Sequence, residues 1–203
     1  MHSEKIIILD FGGQYNQLIA RRVREMGVYC EILPYRTAVE KWHDASLRGV
    51  ILTGGPASVY EAEAPRVSRE MIDSLGVPVL GICYGMQLIN YLYGGKVQSA
   101  NVSEYGDTLL HTRESALFAN VGRETHVFMN HNDRVSELPE GFESFAYTDA
   151  CPYAEFSCPA RGLYGVQFHP EVRHSVEGTK MLENFVRGVC GCREVYKAED
   201  QIE

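Results

Sequence analysis

A chain of 203 residues, 45% hydrophobic and 23% charged, is long enough to bury a large core as one globular domain or two very small ones. The formal net charge of −8 argues against a general phosphate-binding surface, which needs clustered lysine and arginine, so we expect no nucleic-acid partner. Six cysteines over this length do not fit a disulfide scaffold, and we find neither a signal peptide nor an apolar run of membrane-spanning length. We therefore expect a cytoplasmic protein with no membrane partner.

The first half of the chain alternates apolar, β-rich runs with amphipathic segments. Strands are predicted over Lys5–Phe11, Val28–Leu33, Gly49–Thr53 and Val77–Ile82. Helices are predicted over Gln14–Met26, near Pro65–Leu75 and over Tyr84–Tyr93. Strands and helices that alternate at these spacings predict a parallel sheet with right-handed crossovers.

Three glycine-rich turns follow predicted strands, at Gly12-Gly13, at Gly54-Gly55 and around Cys83. Ligands of parallel sheets bind at the carboxyl ends of the strands, so these turns are expected to border the site. None of them has the spacing of a phosphate-binding loop or of a dinucleotide-binding fingerprint. We therefore expect no nucleotide cofactor in this chain.

The second half of the chain has a different sequence pattern. From Gly94 to Arg161, short apolar runs alternate with turn residues, which predicts antiparallel strands continuous with the same sheet. A further strand is predicted over Leu163–Phe168 and a closing helix over Val176–Val189. Residues 193–203 are charged and have no apolar face, so we assign residues 1–192 to the domain and interpret the rest as a linker or a truncated end.

Cys83 lies at the predicted strand-to-helix turn between Gly81 and Gly85. Gly-x-Cys-x-Gly is the cysteine version of the nucleophile elbow, in which a tight turn lifts the nucleophile above the sheet. A helix N-terminus at this point favours a thiolate. Taken alone, the pattern fits a buried core cysteine between two turn glycines equally well.

His169 follows the last predicted strand, and Glu171 comes two residues later, on the same side if the chain is extended. A carboxylate placed there can orient the imidazole, which gives a nucleophile, a base and an orienting group. A lone His-Pro pair usually only ends a strand, and a lone glutamate is usually a solvated charge. Together with the Cys83 elbow and the Gly54-Gly55 turn, however, the two residues predict a catalytic triad.

Two motifs together resemble those of the class-I, or triad, glutamine amidotransferases. They are Gly81-Ile82-Cys83-Tyr84-Gly85-Met86-Gln87 and Phe168-His169-Pro170-Glu171-Val172. Thr53-Gly54-Gly55-Pro56 is similar to the oxyanion strand of that family, and the resemblance covers nearly the whole chain. It implies a flavodoxin-like α/β fold, an open twisted, mostly parallel sheet with helices on both faces and an antiparallel extension.

Within that family, the opening from Leu9 to Glu25 and the segment Gly54–Tyr60 resemble the glutaminase domains of GMP synthetases. This resemblance implies L-glutamine as substrate and an ATP-pyrophosphatase (synthetase) domain as partner, in the same chain or as a separate subunit. That partner would use ATP and magnesium to aminate XMP with the ammonia released. No cofactor or metal is expected in the present domain.

The resemblance also implies a role for individual residues. Cys83 would attack the side-chain amide of glutamine, His169 would transfer protons and Glu171 would orient His169. The backbone N–H groups of Gly55 and Tyr84 would form the oxyanion hole. Contacts with glutamine are implied for Gly54, Gln87, Asn130, Asn132 and Asp133, the last three in a substrate-gripping loop.

Three other interpretations are open at this point. The chain could serve anthranilate, aminodeoxychorismate or carbamoyl-phosphate synthesis, although its Gly-Gly-Gln-Tyr opening argues against this. It could be another cysteine hydrolase, such as a γ-glutamyl hydrolase. A non-catalytic flavodoxin-like regulatory domain is the third alternative, but it would not need Cys83, His169 and Glu171 together. The Cys190-x-Cys192 pair lacks a second cysteine or histidine pair nearby, so a structural role is favoured over a metal site.

Overall fold

A computed structural model of the protein describes residues 3–195, without the side chains of residues 100–102. The strands of this part of the chain are β1 (Lys5–Asp10), β2 (Cys30–Pro34), β3 (Leu47–Leu52), β4 (Val79–Ile82), β5 (Lys96–Thr112), β6 (Glu124–Glu137), β7 (Ala146–Tyr147), β8 (Glu155–Cys158) and β9 (Leu163–Val166). The α-helices are α1 (Asn16–Glu25), α2 (Arg69–Ser74), α3 (Tyr84–Leu92) and α4 (Gly178–Glu183). Short 3-10 turns occupy Val39–Lys41 and Pro159–Arg161.

The central sheet has the strand order β2-β1-β3-β4-β9-β8. The pairs β1–β2, β1–β3, β3–β4 and β4–β9 are all parallel, and only β8 runs antiparallel to its neighbour. The predicted class, an α/β fold with a mostly parallel sheet, is confirmed. Because parallel strands end at the same edge, the turns after β1, β3, β4 and β9 come together there.

Both faces of this sheet are covered, as β1 illustrates. Ile6 and Ile8 pack into one core cluster with Ile19 of α1 and Phe185 near the C-terminus. Ile7 and Leu9 pack into a second cluster, which contains α2 and α3 residues. These four side chains are fully buried, as expected of a strand whose alternate residues face two helical layers.

The prediction that residues 94–161 extend the same sheet is wrong for most of this region. The long β5–β6 hairpin pairs with β7 in a separate three-stranded antiparallel sheet, and only β8 joins the central sheet. Local alternation predicted the strands, but their partners are fixed by pairing between residues distant in sequence. The β5–β6 register is irregular between Ser99 and Glu104.

The predicted elements are generally longer than those observed. The helix predicted near Pro65–Leu75 covers only Arg69–Ser74, where the Ser68 hydroxyl accepts from the Met71 N–H as an N-cap. The predicted closing helix changes from α4 to a π-helix over Asn184–Val189, and the Cys190 N–H bonds to the Phe185 carbonyl. Side-chain periodicity does not distinguish these two helical windings.

Arg193–Val195 form neither helix nor strand, and the N–H groups of Arg193 and Glu194 donate to the Glu4 carboxylate at 2.9 and 2.7 Å. Residues 196–203, the rest of the predicted linker or truncated end, lie outside the described residues. Between residues 3 and 195, the helices are too short and too polar to cross a bilayer.

Candidate active site

Cys83 occupies the turn between β4 and α3 with φ 55° and ψ −108°. Positive φ is uncommon for a residue with a Cβ atom and costs about 1–3 kcal/mol, so the surrounding contacts must enforce it. They do so on both sides, because the Cys83 N–H donates to the Val166 carbonyl at 2.8 Å and its carbonyl accepts from the Gln87 N–H at 3.1 Å. The predicted elbow is present.

The glycines on either side of Cys83 are required by close backbone approach. A Cβ atom on Gly81 would lie 2.4 Å from the Gly85 carbonyl carbon, and one on Gly85 would lie 2.3 Å from the Leu52 carbonyl oxygen. Both contacts are far inside van der Waals distance, and both involve backbone that cannot move independently of the sheet. The spacing of the motif thus reflects how tightly α3 packs over β3 and β4.

Replacing Gly85 by alanine is expected to lower the free energy of unfolding by about 1–3 kcal/mol, because the added methyl group overlaps the backbone of β3. Gly188→Ala is the matched control, since a Cβ atom there meets no atom within 4 Å. Urea unfolding of both variants measures the difference. Equal stability of the two variants would contradict the packing argument.

His169 lies beside Cys83, at the end of the segment that follows β9. Its Nδ1 is 2.7 Å from Glu171 Oε1, and both side chains are buried. The predicted pairing is therefore present, but its stated basis is wrong. Residues 169–171 form a turn and not an extended strand, in which the His169 carbonyl accepts from the Val172 N–H and the Ser175 hydroxyl.

The pKa of His169 reflects two opposing influences. Burial disfavours the charged imidazolium and acts to lower the pKa. Hydrogen bonds to Cys83 and Glu171, together with their negative charges, outweigh burial and raise the pKa of His169 to about 10. The arrangement therefore favours the imidazolium form of His169.

Among the described residues, the Glu171 carboxylate forms a hydrogen bond only with His169. Its Oε1 holds the imidazole, while its buried Oε2 has no hydrogen-bond partner among the described residues. Its backbone carbonyl accepts from Arg22 Nε at 3.1 Å, which connects α1 to the turn. No other donor of the described chain shares the negative charge, so this charge acts mainly on the imidazole.

The Gly54-Gly55 turn lies against the same two side chains. A Cβ atom on Gly54 would be 3.1 Å from His169 Cε1 and 3.5 Å from the Cys83 Cβ, and one on Gly55 would be 2.5 Å from the Phe11 carbonyl oxygen. Neither glycine has a positive φ, so close approach explains both of them. Tyr84, the other predicted oxyanion residue, begins α3, where its N–H has no intrahelical partner.

An open cavity of about 480 Å³ lies in front of Cys83 and His169. All the predicted site residues except Tyr84 line it, namely Gly54, Gly55, Cys83, Gln87, Asn130, Asn132, Asp133, His169 and Glu171. The Tyr84 side chain points away and donates from its hydroxyl to the Pro65 carbonyl at 2.5 Å. A pocket of this size suits a small molecule.

Asn130, Asn132 and Asp133 lie within β6, so the prediction of a substrate-gripping loop is wrong about the element. They sit opposite the irregular part of β5. Asn132 Oδ1 accepts from the Tyr105 hydroxyl at 2.5 Å, and the Asp133 carboxylate accepts from the Ser99 hydroxyl at 3.3 Å. These bonds hold the side chains at the rim of the cavity.

His131, between them, is buried and also lines the cavity. Its Nδ1 bonds to the Asp133 carbonyl at 2.7 Å and its Nε2 to Glu104 Oε1 at 3.0 Å. Glu104, His131 and Cys151 offer ligand atoms within 4.8 Å of one another, a group that sequence reasoning missed. Burial raises the pKa of Cys151 to about 12, and hydrogen bonds join His131 to Glu104 and Glu104 to the Thr148 hydroxyl.

The sequence analysis missed Tyr15, whose ring packs edge-on against His169 at 5.2 Å between centroids, and it also missed Gln167. The Gln167 side chain is fully buried, its Nε2 lies 3.5 Å from Cys83 Sγ, and its Oε1 accepts from Gln87 Nε2 at 3.1 Å. The available signal was a polar residue at the end of the apolar run Leu163–Val166, next to the His169 motif.

Comparison with known proteins identifies the family of this chain. Residues 7–189 match the family described as Glutamine amidotransferase class-I. The whole chain is 52% identical to a GMP synthase [glutamine-hydrolyzing] of Lachnospira eligens and 51% identical to that of Caldicellulosiruptor saccharolyticus. It spans only 39% and 40% of these two curated relatives.

Solved structures extend the comparison. A Thermoplasma acidophilum protein described as a GMP synthase subunit superposes with a TM-score of 0.81 at 30% identity, covering 94% of this chain and 96% of that one. A glutamine amidotransferase of Thermotoga maritima shares the fold, with a TM-score of 0.74 at 17% identity over 95% of this chain and 100% of that one. The match over residues 7–189 and the likeness along the whole chain lead to one conclusion: the chain belongs to the class-I glutamine amidotransferases.

Proposed function

We propose that this chain is the glutaminase component of a glutamine-hydrolysing GMP synthase, which converts L-glutamine and water into glutamate and ammonia. The observation that carries the proposal is that Cys83, His169 and Glu171 line one cavity, where His169 is hydrogen-bonded to Glu171 and both partners raise its pKa. A nucleophile, a proton carrier and an orienting carboxylate are what amide hydrolysis through a covalent intermediate requires.

In the first step, the Cys83 thiolate attacks the side-chain amide carbon of glutamine and a C–S bond forms. The carbonyl oxygen takes up the electron pair as an oxyanion. We assign its stabilisation to the backbone N–H groups of Gly55 and Tyr84, beside Cys83. Loss of one such donor typically costs about 2.7–4 kcal/mol of transition-state stabilisation.

In the second step, the tetrahedral intermediate collapses. The C–N bond breaks and the His169 imidazolium gives its proton to the leaving nitrogen, which departs as ammonia and leaves a γ-glutamyl thioester on Cys83. The neutral imidazole then takes a proton from water, which attacks the thioester. Glutamate leaves, and the thiolate and imidazolium are restored.

The rim of the cavity supports an assignment for substrate binding. Asp133 supplies the carboxylate that can pair with the α-ammonium group of glutamine. Asn130 and Asn132 offer amide groups on the same strand, and the backbone of Gly54 approaches from the other side. Both Gln87 Nε2 hydrogens are taken by the Asp133 carbonyl and Gln167, so the Gln87 oxygen is the atom left to contact the substrate.

Replacing Asp133 by alanine is expected to raise the KM for glutamine about tenfold or more with a smaller effect on kcat, because the lost contact is made equally in the ground and transition states. Steady-state ammonia release measures both constants. Asp107→Ala, an exposed carboxylate of β5, is the matched control. An unchanged KM in the Asp133 variant would exclude this residue from the binding site.

The length comparison supports a synthetase partner. The curated relatives are about two and a half times as long as this chain, and their name states that they make GMP at the expense of glutamine. We propose that ammonia is passed to an ATP-pyrophosphatase domain, which uses ATP and magnesium to aminate XMP. We also propose that the oxyanion hole is completed only when this partner docks, so that the chain alone is a poor glutaminase.

The test is steady-state ammonia release with and without an added synthetase domain, ATP, magnesium and XMP. We expect kcat to rise by orders of magnitude while KM changes less, because oxyanion donors act on the developing charge. Activation by a chorismate-using partner instead of the XMP-using one would favour an anthranilate or aminodeoxychorismate function. If the chain alone already reaches the coupled rate, partner control is refuted.

A further inference from the structure

Gln167 makes a contact with the nucleophile that the triad chemistry does not use. Its Nε2 lies 3.5 Å from Cys83 Sγ, within hydrogen-bonding range for sulfur, and its side chain has no exposure to solvent. Burying an amide is costly unless its N–H and C=O groups are paired. The contact with Cys83 therefore supplies part of the hydrogen bonding that the buried Gln167 side chain requires.

The direction of this hydrogen bond is set by a distant carbonyl group. The Asp133 backbone oxygen only accepts hydrogen bonds, so the Gln87 atom 3.0 Å from it must be the amide nitrogen. The same nitrogen then donates its second hydrogen to Gln167 Oε1 at 3.1 Å. With its oxygen held there, Gln167 has only its NH₂ group left to face Cys83.

The start of this relay is itself fixed. The Asp133 carbonyl also accepts from His131 Nδ1 at 2.7 Å, which occupies its second lone pair. His131 is held in turn by Glu104, which also accepts from the Thr148 hydroxyl at 3.0 Å. Apart from Asp133, which is half-buried, the residues of this network are buried, so most of its hydrogen-bond partners are groups of the protein.

The N–H group of Gln167 favours the ionised form of Cys83. A protonated thiol can donate to the Asn130 carbonyl, which lies 3.8 Å from the sulfur. A thiolate cannot donate and needs donors instead. Gln167 supplies one and His169 supplies the other. Hydrogen bonds to a charged group are stronger than those between neutral groups, so this donor acts selectively on the thiolate.

We propose that Gln167 is a further catalytic residue, a neutral donor that stabilises the Cys83 thiolate, and that Gln87 is the positioning residue that orients it. The relay runs from the Asp133 carbonyl through Gln87 and Gln167 to the sulfur. Through this relay, the reactivity of Cys83 depends on the position of β6, the strand that carries Asp133. The inference rests on the proposed function only in taking Cys83 as the nucleophile.

The test is the rate at which iodoacetamide alkylates Cys83, followed by mass spectrometry of the peptide that contains it. This reaction reports the thiolate and needs no glutamine. Gln167→Met removes the donor at similar size and is expected to slow alkylation about tenfold at neutral pH. Gln167→Glu keeps the shape but places a carboxylate oxygen toward the sulfur, and a larger loss, about a hundredfold, is expected from like-charge repulsion.

A double-mutant cycle tests the relay separately. Gln87→Met frees the Gln167 amide to turn and is expected to slow alkylation by itself, yet to have almost no effect in the Gln167→Met background. Gln17→Glu, an exposed glutamine of α1, is the matched control and should react at the wild-type rate. Thermal unfolding of each variant distinguishes a lost donor from a lost fold.

Two results would overturn the inference. One is wild-type alkylation of a folded Gln167→Met protein, and the other is strict additivity of the Gln87 and Gln167 effects. The pH at which alkylation is half-maximal should rise in Gln167→Met, a shift that simple loosening of the structure does not require. If the wild-type chain fails to hydrolyse glutamine under any condition but alkylation still depends on Gln167, the proposed function fails while the relay stands.

Discussion

Replacing Cys83 by alanine is expected to abolish glutamine hydrolysis, with a loss of roughly 10⁴-fold or more in kcat, while the protein remains folded. The variant lacks the sulfur on which the thioester forms, and no other described residue lies where a nucleophile is needed. Only one buried heavy atom is removed, and the elbow backbone keeps its hydrogen bonds to Val166 and Gln87. Ammonia release by the purified variant is the direct measurement.

The other cysteines provide the matched controls. Cys30 and Cys158 are free and buried on the two edge strands of the central sheet, and the pKa of Cys30 is raised by burial to about 11. Cys30→Ala and Cys158→Ala should therefore lose some stability but keep glutamine turnover and its KM. Hydrolysis retained by Cys83→Ala, or lost in both controls, would remove Cys83 from the nucleophile role.

Loss of the imidazole is the second large effect. His169→Ala is expected to eliminate nearly all turnover, because proton transfer to the leaving nitrogen and activation of water both depend on it. Glu171→Gln should lose less, since glutamine still accepts from His169 Nδ1 but lacks the charge that stabilises the imidazolium. Single-turnover rates of both variants rank the two contributions. Full activity in Glu171→Gln would exclude the carboxylate from the mechanism.

The same substitution has a pH signature. The pKa of His169 is raised in the folded protein from 6.5 to about 10. Its protonation therefore stabilises the fold fully below pH 6.5, and this contribution is lost as the pH rises through about 10. In Glu171→Gln the pKa of His169 falls, so protonation of His169 contributes less to the free energy of unfolding and less of it is lost as the pH rises. The unfolding temperature of the wild-type protein should drop more between about pH 7 and about pH 10 than that of the variant.

The parallel core and the elbow were predictable because their signals are local. Four apolar β-rich runs with helical segments between the first and second and between the third and fourth admit few arrangements other than a parallel sheet. Gly81 and Gly85 occupy positions that leave no room for a Cβ atom, so their spacing around Cys83 in the sequence is enough to predict the turn. The triad follows from these constraints together with the position of His169 at another strand end.

The parts of the fold and the site that were not predicted depend on contacts between residues far apart in sequence. The β5–β6 hairpin alternates in the same way whether it extends the central sheet or forms its own, so its pairing was predicted incorrectly. Gln167 was not predicted as a site residue, because a single polar residue in an apolar run does not indicate which residue it contacts. Its contact with Cys83 exists only because β4 and β9 are neighbours.

The φ of 55° at Cys83 has a consequence for the evolution of this fold. Only a glycine would adopt that conformation without strain, so the protein maintains a less stable backbone to keep a thiol at this point. When hydrolysis is no longer selected, mutation to glycine at position 83 removes the strain and the activity in one step. Inactive descendants of such a chain should therefore accumulate glycine there in preference to alanine or serine, which both retain the Cβ atom.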